Sequence, residues 1–152
     1  MPKITASPFT RQSRAREESP CFPLRAPNVP DAARLFDDWN AALQTGNADA
    51  VAALYCPQAV LLPTADDDVR VGHAAIHDYF VHFLAARPQG RVLERHTQTG
   101  WDMVVDMGSY AFLFADGRDV AARYTFVYRP VAGRWRITHH HSSAMPERFC
   151  DF

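Results

Sequence analysis

Apolar residues recur along the chain with two different periods, and the change falls near residue 90. Ala32, Leu35, Phe36, Trp39 and Leu43 stand at i, i+3, i+4, i+7 and i+11, one stripe of an amphipathic helix with Asp37 and Asp38 off it. Pro30 and Asp31 open that helix, since proline suits a first turn and an early carboxylate faces the positive end of the helix dipole. Gly46 closes it as a left-handed residue. Asn47 caps a short second helix carrying Val51, Leu54 and Tyr55, which ends before Pro57. Residues 59–62, bounded by Pro57 and Pro63, read as a short strand. A polar loop with Asp66, Asp67 and Asp68 follows, and Gly72 opens a third helix with the stripe Ile76, Tyr79, Phe80, Phe83 and Leu84. Pro88 and Gly90 end it.

Beyond residue 90 the period becomes two. The pattern predicts strands over 92–99 and 103–114, with a turn at 100–102 between them and Gly108 as a bulge. Asp116-Gly117 makes the next turn, and residues 120–128 and 134–142 form a last hairpin around 130–133. Helices first and consecutive antiparallel strands after is an α+β order: three N-terminal helices on a curved antiparallel sheet. A long helix in the concavity leaves room for a pocket. One domain is predicted over 31–147, with a tail at 148–152.

Residues 1–30 have no apolar period. They hold six of the eleven prolines and five Lys/Arg against two Glu, and read as a disordered arm. The apolar run 4–9 is too short and broken for a signal peptide, although the arm half fits a transit peptide. The chain has 152 residues, enough to bury a core without disulfide or metal staples. Its formal net charge of −1 gives no basic face for nucleic acid, and no apolar run is long enough to span a membrane. Cys21, Cys56 and Cys150 are odd in number and far apart, which points to free thiols and a cytoplasmic location.

Candidate chemistry gathers in the last hairpin. If Arg129 pairs with Arg134, then Tyr124, Phe126, Tyr128, Trp135, Ile137, His139 and His141 share one face. Arg123, Thr125, Val127, Thr138 and His140 share the other, and a slip or bulge would exchange the sets on one strand. His139 and His141 are expected to face the pocket and His140 to face away. The pair could form a polar pocket wall, act as acid–base or contribute to a metal site; two ligands alone do not make one, so no metal or other cofactor is assigned. Arg123, mid-strand among apolar residues, is expected to be buried and paired, with Asp106 the first candidate partner. It would serve as an internal salt bridge or as an anion clamp. Arg70 follows the aspartate loop and is placed at the pocket mouth, with Tyr55 nearby. The three aspartates lack the spacing of a calcium loop and read as solvated. No P-loop, nucleophile-elbow or zinc-protease motif occurs.

The run Trp39, 43–47 (Leu-Gln-Thr-Gly-Asn), 51–55 (Val-Ala-Ala-Leu-Tyr) and 61–64 (Leu-Leu-Pro-Thr) resembles the start of bacterial proteins of the SgcJ/EcaC type. Residues 76–80 with Phe83-Leu84, then 121–128, 133–137 and the closing 139–147 (His-His-His-Ser-Ser-Ala-Met-Pro-Glu) continue the resemblance. That family looks like the association domain of calcium/calmodulin-dependent kinase II, a cone-shaped module related to nuclear transport factor 2. The resemblance implies a cystatin-like fold and self-assembly as a homodimer or a larger even-numbered ring. It also implies a pocket, whose arginines in the kinase module fall here at Ser142 and Phe126. The combined expectation is a homodimer, joined through the convex sheet face, that binds a small organic, anionic molecule. Its wall would be His139, His141, Arg123, Arg70, Asp106 and Tyr55. An acid–base enzyme and a non-catalytic association domain remain the alternatives.

Overall fold

Asp31 caps the first helix, its side chain accepting from the Ala33 amide at 3.2 Å. In this computed structural model, which describes residues 28–64 and 66–146, α1 runs Ala32–Gln44 and buries Ala32, Phe36, Trp39 and Leu43, the stripe read from sequence. Gly46 follows with φ +68° and Asn47 caps α2, Ala48–Ala52. The rest of the chain adds β1 (Tyr55–Leu62), β2 (Arg70–Val71), α3 (Gly72–Phe83), β3 (Gln89–Thr99), β4 (Val104–Leu113), β5 (Asp119–Val131) and β6 (Arg134–Ala144). Most of the expected arm at 1–30 and the tail at 148–152 lie outside the described residues, although Val29 is already part of the core.

The six strands make one sheet in the order β2-β1-β6-β5-β4-β3. The expected antiparallel sheet is in fact mixed, because β1 lies parallel to β6. The chain must cross from β1 through α3 and the whole meander before β6 returns beside it, and that return fixes the direction. β1 also starts earlier than its apolar core suggests. Tyr55 is its first residue, and Pro57 is accommodated where the register with β6 shifts between Tyr55 and Val60. The three expected helices are present but unequal. Five-residue α2 is little more than a turn, and α3 follows two strands, so the cover on the concave face comes from α1 and α3.

Side chains facing that cover alternate along the strands, with Val104, Asp106, Tyr110 and Phe112 from β4 and Ala122, Tyr124, Phe126 and Tyr128 from β5 all buried. The core between helix and sheet is aromatic. The Trp39 ring lies 5.2 Å from Phe126 and 6.2 Å from Phe112, both edge-on. Asn40 ties α1 to the sheet edge, donating to the Gly90 carbonyl at 2.9 Å and accepting from the Gly90 amide at 2.8 Å.

The sheet bends where β3 carries an extra residue between Val92 and Glu94. Gly108 lies under that bulge with φ +159°, and a Cβ there would sit 2.0 Å from the Glu94 carbonyl oxygen. Gly108→Ala should therefore lose at least about 2 kcal/mol in urea unfolding, because neither backbone can yield cheaply. Gly117→Ala meets no neighbour within 4 Å, and should lose only about 1 kcal/mol for its left-handed φ. Equal losses would mean that the bend does not depend on close approach at Gly108.

Candidate functional site

The β5–β6 hairpin decides which histidine reaches the interior. Its turn has two residues, Ala132 at φ 49° and Gly133 at φ 75°, both left-handed as a tight type I′ turn requires. Val131 therefore pairs with Arg134 and Arg129 with Arg136, two residues further along than the pairing expected for Arg129. That shift preserves the face of each strand. A bulge then intervenes: Tyr128 pairs with Ile137 but Val127 with His139, so Thr138 is extra, and its hydroxyl donates to the Val127 carbonyl at 3.1 Å. Beyond it the faces exchange. Ile137 points in, and so do His140 and Ser142, which are 1%, 3% and 7% exposed.

His140 and Ser142 end a cavity of about 170 Å³ between α1, α3 and the sheet. Trp39, Phe80, Tyr110 and Phe112 form aromatic walls, while Thr64 and Arg118 reach it near the surface. The His140 ring stacks on Phe126 with centroids 3.9 Å apart. A line of hydrogen bonds runs through the buried end. The Trp39 indole N–H donates to the Tyr55 hydroxyl at 3.1 Å, and that hydroxyl lies 2.9 Å from His140 Nδ1. His140 Nε2 lies 3.5 Å from the Tyr110 hydroxyl, which donates to Ser142 Oγ at 2.5 Å; Ser142 and Thr64 Oγ1 are also 2.5 Å apart. Burial, reinforced by His139 and His141, pushes the His140 imidazole down to about 3, so it is neutral at physiological pH. Burial likewise drives the Tyr55 and Tyr110 hydroxyls well above the usual tyrosine range.

The expected wall is largely rearranged. His139 is half-buried and His141 exposed, both on the convex side, so the prediction that they face the pocket and His140 faces away is reversed by the bulge at Thr138. Arg123 is exposed on that same convex side and does not pair with Asp106. Asp106 is fully buried, and its partner is Arg95, whose Nε donates to both carboxylate oxygens at 3.0 and 3.2 Å. Tyr124 donates to the same carboxylate at 3.2 Å, and the Arg95 guanidinium lies 5.6 Å over the Phe36 ring. Burial raises the Asp106 carboxyl above its ordinary range, and Arg95 and Tyr124 pull it back. This cluster does not line the His140 cavity.

Arg70 does stand near the mouth, in an outer recess shared with Arg118, Tyr79 and Phe83. Asp66 and Asp78 hold it there, and Asp116 holds Arg118. Tyr55 sits in the network, its backbone carbonyl accepting from His73 Nε2 at 2.7 Å. Among the described residues no three His, Cys, Asp or Glu side chains converge as a metal site. Ser142 lines the cavity, at a position the family resemblance implied for the pocket, whereas sequence reading missed Tyr110, Arg95 and Arg118 and turned His140 away from it. The Ala132-Gly133 turn was the available signal for the hairpin register, whereas the bulge at Thr138 left no mark in the residue pattern.

The helix-covered bent sheet and its interior cavity define a nuclear-transport-factor-2-like, cystatin-like domain. Residues 29–146 match the model of the calcium/calmodulin-dependent protein kinase II association domain, and the chain belongs to that family. A Xanthomonas campestris protein provisionally assigned to the same association domain is 47% identical, with TM-score 0.73 over 80% of this chain and 92% of its own. A nuclear-transport-factor-2-like protein of unknown function from Pseudomonas putida is 16% identical, with TM-score 0.68 over 78% and 87%. A Novosphingobium aromaticivorans protein provisionally described as an aromatic ring hydroxylase is 25% identical, with TM-score 0.61 over 75% and 87%. No curated protein matches the chain.

Two measurements check this geometry. Arg95→Met should cost about 3 kcal/mol in chemical unfolding, because it strands a buried carboxylate, whereas Arg123→Met should change stability by less than about 0.5 kcal/mol. The reverse ranking would restore Arg123 as the partner of Asp106. The second concerns His140, whose folded pKa of about 3 lies below the ordinary histidine value of 6.5. The unfolded chain then takes up a proton that the folded chain refuses as pH falls from 6.5 toward 3. Stability should fall across that window by up to about 1.4 kcal/mol per pH unit from this one group, and His140→Gln should remove that component of the slope. An unchanged slope would mean that His140 is not held neutral.

Proposed function

We propose that this domain binds a small one-ring organic molecule in the cone, within a self-associating protein. The observation that carries the reading is the aromatic cavity of about 170 Å³ closed at one end by His140, Tyr110 and Ser142. Binding sites for small molecules are typically apolar hollows with a few placed polar groups. An engineered apolar cavity of about 150 Å³ holds benzene, so the space suits one ring with a short substituent. The relative described as an aromatic ring hydroxylase is compatible with a ring-shaped ligand and lends no reaction to this chain.

Acid–base catalysis by a pocket histidine is the weaker reading. A base with its pKa near 3 is poorly matched to work at neutral pH, and both nitrogens of His140 already face tyrosine hydroxyls. The anionic character expected of the ligand also loses its support, because it rested on Arg123. A cytoplasmic setting remains our reading of the sequence; no described helix is long and apolar enough to cross a membrane.

The second reading is pure association, favoured by the family itself. The face opposite the cavity carries Val105, Met107 and Val127, a surface on which a second copy would pack, with Thr125, His139 and Arg123 around them. Light scattering should give roughly twice the 17.1 kDa chain mass, or a larger even multiple, and a monomer would remove the self-association half of the proposal.

Ligand binding is tested separately. One-ring aromatic compounds at millimolar concentration should raise the melting temperature, and Ala122→Leu, which fills the cavity, should abolish that rise while leaving the assembly mass unchanged. If no such compound stabilises the wild-type protein, the association reading stands alone.

A further inference from the structure

Resting on the reading of the cone as a small-molecule site, the direction of hydrogen bonding through its buried end narrows the ligand. An indole N–H can only donate, so at the Trp39–Tyr55 contact the tyrosine oxygen accepts. The Tyr55 hydrogen must then go elsewhere, and its acceptor among the described residues is His140 Nδ1, 2.9 Å away. In the opposite arrangement Nδ1 would carry a proton and donate to Tyr55. A fully buried hydroxyl would then be left with its hydrogen unsatisfied, the costlier state. The imidazole is also neutral, as argued above. Its single proton is therefore on Nε2.

That proton faces the cavity end with weak employment. Its neighbour there is the Tyr110 hydroxyl at 3.5 Å, the outer limit of a hydrogen bond, and Tyr110 gives its own hydrogen to Ser142. We propose that the cavity is a hydrogen-bond donor site, in which the Nε2–H of His140 receives an acceptor oxygen of an uncharged one-ring ligand, an aryl ketone or aldehyde. Trp39 and Tyr55 are positioning residues for this role: neither lends its proton to the ligand, and together they hold the donor outward. A carbonyl compound binds there because the donor it meets is already oriented and dry. A hydrocarbon of the same shape gains only burial.

The test begins on the ligand-free protein. Long-range nitrogen–proton NMR correlations of ¹⁵N-histidine-labelled protein should show His140 protonated at Nε2 and bare at Nδ1, and protonation at Nδ1 would overturn the proposal. Calorimetry then compares acetophenone, which only accepts, with ethylbenzene, which does neither. His140→Asn keeps an amide near the Nδ1 position but withdraws the donor from the cavity, whereas His140→Gln puts an amide N–H near the Nε2 position. The preference for acetophenone over ethylbenzene should fall about five- to tenfold in His140→Asn, the factor one neutral hydrogen bond supplies, and be largely kept in His140→Gln. The same preference in all three proteins overturns the donor assignment while ethylbenzene binding leaves the pocket standing. Failure of both compounds to bind the wild-type protein removes the small-molecule reading itself, and this proposal with it.

Discussion

Trp39 brings one obligatory hydrogen-bond donor into the middle of an aromatic core, and much of the interior is arranged around meeting it. An indole packed between Phe36, Phe80, Phe112 and Phe126 has no water to turn to. Its acceptor is the Tyr55 hydroxyl, which must be buried in turn and needs an acceptor of its own. His140 supplies that acceptor, and β1 lies beside β6 so that the two residues meet. The parallel pairing of these strands, unexpected from the sequence, thus brings together the two ends of one polar line. A Phe at position 55 would fit the apolar pattern equally well and leave the indole unpartnered, and a Val at position 140 would strand the hydrogen of the buried Tyr55 hydroxyl.

How far the sequence could be read follows from the range of each signal. Local features were legible: the α1 stripe, the left-handed Gly46, the Asn47 cap, the opening of α3 at Gly72 and the special character of Gly108. The family and its fold were legible from motifs spread across the domain. The site was not, because its geometry turns on the extra residue at Thr138. Strand periodicity assigns faces by counting, and an inserted residue reverses every face beyond it. Arg123 was expected inside because its neighbours are apolar, whereas alternation with buried Ala122 and Tyr124 puts it outside. Asp106 was named as the partner of a buried arginine and as a pocket residue; it is buried and paired, but its arginine came from β3, the neighbouring strand on the other side.

The cone separates two kinds of buried polarity. At Asp106 the charges neutralise each other at fixed distance, with Tyr124 on the carboxylate and the face of Phe36 against the guanidinium, whose Nη2 has no hydrogen-bond partner among the described residues. That arrangement tolerates little intrusion, since displacing Arg95 exposes an enclosed carboxylate to an apolar wall. At His140 every group is neutral, and the line of hydroxyls ends at Thr64, which is exposed. A guest can approach that end without breaking an ion pair. The division explains why an open cavity occurs at one site and close packing at the other.

The run of three histidines then has a physical logic that depends on its bulge. His139 and His141 stand on the opposite side of the sheet from His140, close enough that a charge on either raises the cost of charging the one between them. Burial holds the half-buried His139 imidazole below its ordinary range, and it encloses His140 completely. The cavity end therefore keeps a neutral imidazole at physiological pH. Were Thr138 not extra, the order would be inverted, with two imidazoles enclosed against Phe126 and one outside. One extra residue thus places a single histidine where a neutral donor is useful and leaves the other two on the convex side of the sheet.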